Sequence, residues 1–261
     1  MAGKPKLVVF SSGTKTGGPS SRSSELWPRK GGGSGFENLV QWSRTSADST
    51  QTDSEKYEVV AVVSNHEHGD VRERAGRLGV PFVYFEPKNY SHVLENMRTE
   101  SGEGVSDEYR RIVRESEAEW VALSGWLKKV EGPNPQKTFN IHPALLSQRG
   151  GPFDRLRASR FGGHGMYGRR VHEAVKRALD TGEITETGVS MHFVTDEYDR
   201  GPVFFEHKVP LQKGMSADDI AKAVNKAEHE WQPKITNLVV HGQIHWDGKD
   251  PKSLVVPPDL K

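Results

Sequence analysis

The order in which strand-like and helix-like runs alternate constrains this chain more than any other feature. Strand-like runs, several rich in Val and Phe, recur at residues 6–10, 57–64, 81–85, 120–124 and 138–142. Helical patterns lie between them. Residues 70–78 place Val71, Ala75 and Leu78 at i, i+4 and i+7, and residues 108–115 gather Tyr109, Ile112 and Val113 on one side. Further on, Ser216 opens an SADD capping signal, and Ile220, Val224, Ala227 and Trp231 form a stripe that Pro233 is expected to close. Strand alternating with helix predicts an α/β chain built on a mostly parallel central sheet flanked by helices.

Bulk composition narrows the function classes. With 261 residues, one continuous catalytic domain over residues 5–250 is the simplest reading; residues 251–261 hold three prolines and no periodicity, and read as a tail. The 36 basic and 35 acidic residues leave a net charge of +1, so nothing calls for a nucleic acid partner. Without cysteine, disulfides, thiolate nucleophiles and Cys-ligated metal sites are excluded, which suits a reducing cytoplasm. No segment approaches a membrane span, and the apolar run at residues 7–10 is too short for a signal peptide.

Two glycine-rich stretches, residues 11–35 and 148–168, break the alternation and are expected to be loops. The first leads towards a helix starting near Phe36, where Gly33, Gly35 and Asn38 give a partial GxGxxN pattern able to offer N–H groups to a phosphate. A dinucleotide-binding oxidoreductase is disfavoured, because Ser64 and Asn65 stand where an acidic residue would end the second strand. His66 with His68, and His241 with His245, suggest metal pairs. However, HGQIH lacks the glutamate of the zincin motif and has a strand-like context, so no metal is expected.

The chemistry concentrates in TFNIHP, 138–143, and SMHFVTDEYDRGP, 190–202. Asn140 and His142 lie two apart in an extended run, so both side chains leave the same face near its carboxyl end. In the second segment His192 alternates with Met191 and Phe193 and is followed by Asp196, Glu197 and Asp199. A carboxylate beside an imidazole raises its pKa and fixes its orientation, and an amide nearby can hold an oxyanion. That set suffices for attack by an amine on an acyl group without a covalent nucleophile.

These residues resemble the folate-dependent phosphoribosylglycinamide formyltransferases of purine synthesis. The likeness runs in order through KLVVFSSG, VVSN with RERAGRLGVP, LSGWLKKV, NIHPALL, TGVSMHFVTDEYDRGP and SADDIAKAVNKAEHEWQP. The resemblance implies a Rossmann-like formyltransferase fold. Residues 5–133 would form the ribonucleotide-binding half and residues 134–250 the half that binds 10-formyltetrahydrofolate and carries catalysis. By the same resemblance Asn140, His142 and Asp199 are the catalytic trio: His142 as proton donor and oxyanion stabiliser, Asn140 as second donor, Asp199 as the group that holds His142 protonated. His192 supports them. Leu127, Lys128, Lys129 and Val130 line one side of the folate pocket, with Asp196 and Glu197 opposite, and both substrates are small molecules. PSSRSSELWPRK interrupts the family's phosphate loop, and PFDRLRAS is inserted ahead of His164 and His172. A relative with another acceptor, a hydrolase, or a non-catalytic folate or nucleotide binder are the alternatives.

Overall fold

A computed structural model describes residues 3–13, 32–45, 56–87, 104–148 and 160–260. Most of the two expected loops, residues 14–31 and 149–159, lies outside them. The described residues form two compact units that divide at Thr138 and Phe139.

In the first unit, β1 (Lys6–Phe10), β2 (Glu58–Ser64), β3 (Phe82–Tyr84) and β4 (Trp120–Leu123) form a parallel sheet in the order β3-β2-β1-β4. The run LVVF belongs at its centre because a strand covered on both faces needs apolar side chains at every position, and Leu7 to Phe10 are all fully buried. The helices α1 (Ser34–Arg44), α2 (Asp70–Leu78) and α3 (Val105–Glu115) supply the connections. α2 buries Val71 and Ala75, as its spacing predicts, and ends where Gly79 takes the left-handed conformation, φ 63°, at its C-cap. α3 buries Tyr109 and Ile112. Behind it the Tyr109 hydroxyl donates to the Lys129 carbonyl at 2.8 Å and accepts from Trp126 Nε1 at 3.1 Å, which ties down the segment after β4.

The second unit departs from parallel order. β5 (Thr138–His142), β6 (Glu186–Phe193) and β7 (Val203–Pro210) are antiparallel neighbours; between β6 and β7 no helix intervenes, and the short loop 194–202 reverses the chain. α4 (Arg169–Asp180) packs on α5 (Ala217–Val240). Ser216 caps α5 as the SADD signal predicts, its hydroxyl accepting from the Asp219 N–H at 3.1 Å.

Pro233 does not close this helix; α5 runs on to Val240 with Pro233 buried inside it. An interior proline costs about 3 kcal/mol. The stripe, however, continues past it through Ile235, Val239 and Val240, each nearly fully buried, and at about 1.5–3 kcal/mol per side chain their burial outweighs that cost. The HGQIH context is corrected too. His241 is the C-cap of α5, and His245 meets Val255 in one isolated bridge, so neither lies in a strand. Beyond it, Trp246 Nε1 donates to the Asp250 carbonyl, and short 3-10 turns span Pro251–Ser253 and Pro258–Leu260.

Candidate active site

β5 and β6 place the polar side chains that matter. Strand alternation sends Phe139 and Ile141 into the core on one face and Asn140 and His142 to the other. Across the antiparallel pair Asn140 stands opposite His192, and His142 opposite Ser190, so the amide and the second imidazole meet side by side. Asn140 Nδ2 lies 3.1 Å from His192 Nε2. His192 Nδ1 lies 2.8 Å from the Phe193 carbonyl, which can only accept, so Nδ1 carries a proton and Nε2 faces Asn140.

The loop after β6 returns Asp199 to both imidazoles. Asp199 sits at φ 53°, a left-handed backbone that aspartate tolerates better than most residues. Its Oδ1 lies 3.4 Å from His192 Nε2 and its Oδ2 lies 3.6 Å from His142 Nδ1. Oδ2 also accepts the Gly163 N–H at 2.8 Å. Gly201 anchors the end of this loop against β6: any Cβ there would overlap the Phe193 carbonyl, so the DRGP segment requires glycine for a close backbone approach.

The charge states follow from burial and neighbours. Burial opposes ionisation of Asp199, but His192, His142 and the Gly163 N–H outweigh it and hold the carboxyl at about 2. His142 goes the other way. Its burial lowers the pKa by more than Asp199 and the Phe161 carbonyl raise it, so the ring is neutral at pH 7. Its Nε2–H donates to the Phe161 carbonyl at 2.6 Å, leaving Nδ1 turned towards the carboxylate. A second proton on His142 would therefore arrive beside a negative charge that is already in place.

Around this centre, Ser190 braces the chain beyond β5. Its hydroxyl accepts from the Leu146 N–H at 2.9 Å and lies 2.6 Å from Glu206 Oε1, which also accepts from the Ser147 N–H. At the rim His164 and Tyr198 form an edge-on ring pair with centroids 6.1 Å apart. Asp196 and Glu197 are exposed, on the loop that carries Asp199.

The sequence-predicted set thus divides between the units. Asn140, His142, His192 and Asp199 come together in the second. In the first, Leu127 is half-exposed with its N–H bonded to Ser12 Oγ at 2.9 Å, Lys129 pairs with Glu131, and Val130 is buried. Gly33 is the N-cap of α1 at φ 85°, with Gly35 and Asn38 in the following turns. Sequence reasoning missed the backbone partners at Phe161 and Gly163, which carry no side-chain signal, and the Ser190–Glu206 brace. Among the described residues no group of three or more His, Asp or Glu is arranged to hold a metal ion.

An amide, a buried imidazole and an ionised carboxylate, grouped at a strand end of an α/β chain, have the makeup of an enzyme that transfers an acyl group. The chain belongs to the formyl transferase family, whose model matches residues 36–236. It is 28% identical over 218 residues to the trifunctional purine biosynthetic protein adenosine-3 of Gallus gallus, covering 82% of this chain and 18% of that protein. It is likewise 28% identical over 221 residues to the chloroplastic phosphoribosylglycinamide formyltransferase of Arabidopsis thaliana, covering 83% of this chain and 65% of that protein. The chain therefore spans less than two thirds of either relative. Glycinamide ribonucleotide transformylase 1 from Symbiobacterium toebii superposes with a TM-score of 0.64 at 22% identity, covering 94% of this chain and 92% of that one. That likeness shows a shared α/β formyltransferase fold.

Proposed function

We propose that this chain transfers the formyl group of 10-formyltetrahydrofolate to the amine of phosphoribosylglycinamide. The observation that carries the reading is the convergence of Asn140, His142, His192 and Asp199 in a member of the formyl transferase family whose relatives bear that name. The folate co-substrate supplies the formyl group on its N10. His142 presents Nε2–H to the formyl oxygen, exchanging the Phe161 carbonyl for it, and Asn140 Nδ2 is the second donor. Asp199 favours positive charge on His142 as the oxyanion forms, and His192 holds the Asn140 amide in place. One C–N bond forms to the amine, the bond to N10 breaks, and the proton lost by the amine ends on N10.

In this reading Leu127, Lys128, Lys129 and Val130 bind folate, Asp196 and Glu197 do so as well, and Gly33, Gly35 and Asn38 serve the phosphate of the acceptor. Residues 5–133 and 134–250 form the ribonucleotide and folate halves of one domain. Both substrates are small molecules, and no nucleic acid or membrane partner is required. No helix among the described residues is long and apolar enough to cross a membrane, and the lack of cysteine suits a cytoplasmic setting.

The test is turnover of 10-formyltetrahydrofolate with and without phosphoribosylglycinamide. Turnover only with the amine is expected; turnover without it would favour a hydrolase, and none under either condition would reject the reading. His142→Ala should lower kcat by at least about 10²-fold while folate binding persists, the range expected on losing an oxyanion donor.

A further inference from the structure

The chain leaves β5 through a segment that the sheet does not hold. His142 stands opposite Ser190 in the β5–β6 pair and is the last residue of its strand, so the Ala144 carbonyl and the Leu146 N–H need partners other than a ladder. Ser190 supplies both. Its fully buried hydroxyl accepts from the Leu146 N–H at 2.9 Å, and its one proton has two acceptors, the Ala144 carbonyl at 2.7 Å and Glu206 Oε1 at 2.6 Å. The same Glu206 oxygen accepts from the Ser147 N–H at 3.0 Å.

This segment also reaches the reacting groups. Leu146 lies against Gly162 so closely that a Cβ there would overlap its side chain, and would meet the Asp199 Cβ at 3.4 Å as well. The Gln148 carbonyl accepts from the Arg160 N–H at 3.1 Å, which closes residues 144–148 onto 160–163. On either side of Gly162 stand the two backbone groups that hold the centre: the Phe161 carbonyl faces His142 Nε2, and the Gly163 N–H donates to Asp199 Oδ2. Gly162 and Gly163 bring no side chains to fix themselves, so what they lean on matters.

We propose that Glu206 and Ser190 are positioning residues of the reaction, which set kcat by holding residues 144–148 and, through them, the Phe161 carbonyl and the Gly163 N–H against His142 and Asp199. The inference rests on the formyl-transfer reading and deepens it. Neither side chain touches a reacting atom. In that reading His142 turns its Nε2–H from Phe161 to the formyl oxygen, and Asp199 must keep its place as charge grows. Misplacing the 161–163 backbone therefore costs turnover, not affinity, and a displacement of about 1 Å can cost about 10²-fold.

Glu206→Leu removes both acceptors, whereas Glu206→Gln keeps an amide oxygen for the same two donors. With both substrates saturating, Glu206→Leu should lower kcat about tenfold and leave both KM values within about twofold, and Glu206→Gln should recover most of the loss. A merely structural role would lower the urea midpoint and spare the kcat of the folded enzyme. A second readout needs no turnover. In protein carrying isotope-labelled histidine, the His142 Nε2–H resonance, identified by its loss in His142→Ala, should move in Glu206→Leu and return in Glu206→Gln. Wild-type kcat in folded Glu206→Leu, a loss carried by KM, an unmoved His142 resonance, or a Gln variant as impaired as Leu would each overturn the assignment. Should Glu206→Leu not fold, Ser190→Ala replaces it and should show the same loss and the same moved resonance; wild-type values there overturn the assignment. Wild-type protein that never formylates the amine rejects the formyl-transfer reading, and the kinetic role of the pair with it. An active wild type with an equally active Leu variant rejects only the role of Glu206 and Ser190.

Discussion

Replacing Asp199 by asparagine isolates the electrostatic part of the site. Asparagine matches aspartate in size, tolerates the left-handed backbone at φ 53°, and keeps an oxygen for the Gly163 N–H. What it removes is the charge 3.6 Å from His142 Nδ1 and 3.4 Å from His192 Nε2. At an effective dielectric of about 20, two unit charges 3.6 Å apart attract by about 4.6 kcal/mol. The displacement of the carboxyl from 3.8 to about 2 corresponds to about 2 kcal/mol. The smaller figure already contains the burial that opposes ionisation, so it is the better measure of the net effect, and the larger is a ceiling. The expected loss in kcat is therefore on the order of 10²-fold, with a ceiling between about 10³- and 10⁴-fold. Stability carries the same signature. A carboxyl depressed in the folded state contributes stability above its unfolded pKa of 3.8 that is lost as pH falls towards about 2. Urea unfolding should show wild type ahead of Asp199→Asn by up to about 2 kcal/mol at pH 7, with the gap closing below about pH 4. A folded Asp199→Asn protein with kcat within about threefold of wild type would refute the reasoning, because the carboxylate would then contribute little to positive charge on His142 in the transition state.

Two further outcomes are expected. Gly201→Ala should destabilise the protein by about 2 kcal/mol or more, since the clash is with the Phe193 backbone and not a flexible side-chain end; an unchanged urea midpoint would show that the loop yields. Burial raises the Glu228 carboxyl to about 7, against the Asn225 amide that lowers it. With the folded pKa above the unfolded value of 4.5, stability falls as pH climbs from about 4.5 to about 7. Glu228→Gln should abolish that slope and be more stable than wild type at pH 8, where equal stability would count against a raised carboxyl pKa.

Much of the site was legible because it is local. Asn140 and His142 share a face through the strand period alone, and the DRGP run marks the loop that returns Asp199. Pro233 misled because a local rule, that proline ends a helix, yields to the burial of Ile235, Val239 and Val240 further along the same stripe. The strand context assumed for HGQIH failed for the opposite reason. Its residues turn the chain out of α5, and one backbone bridge from His245 to Val255, ten positions on, secures the turn.

The amino-acid sequence by itself determined the strand and helix order of the first unit, its parallel pairing, and the identity of the polar groups gathered at the end of β5. Periodicity and residue chemistry are properties of neighbours along the chain, and they can be read there. Tertiary structure alone decided that β5, β6 and β7 run antiparallel, that Asn140 faces His192, and that His142 rests neutral against the Phe161 carbonyl while Asp199 stays ionised. Register and protonation depend on burial and on partners tens of residues away, and neither leaves a mark on the local pattern.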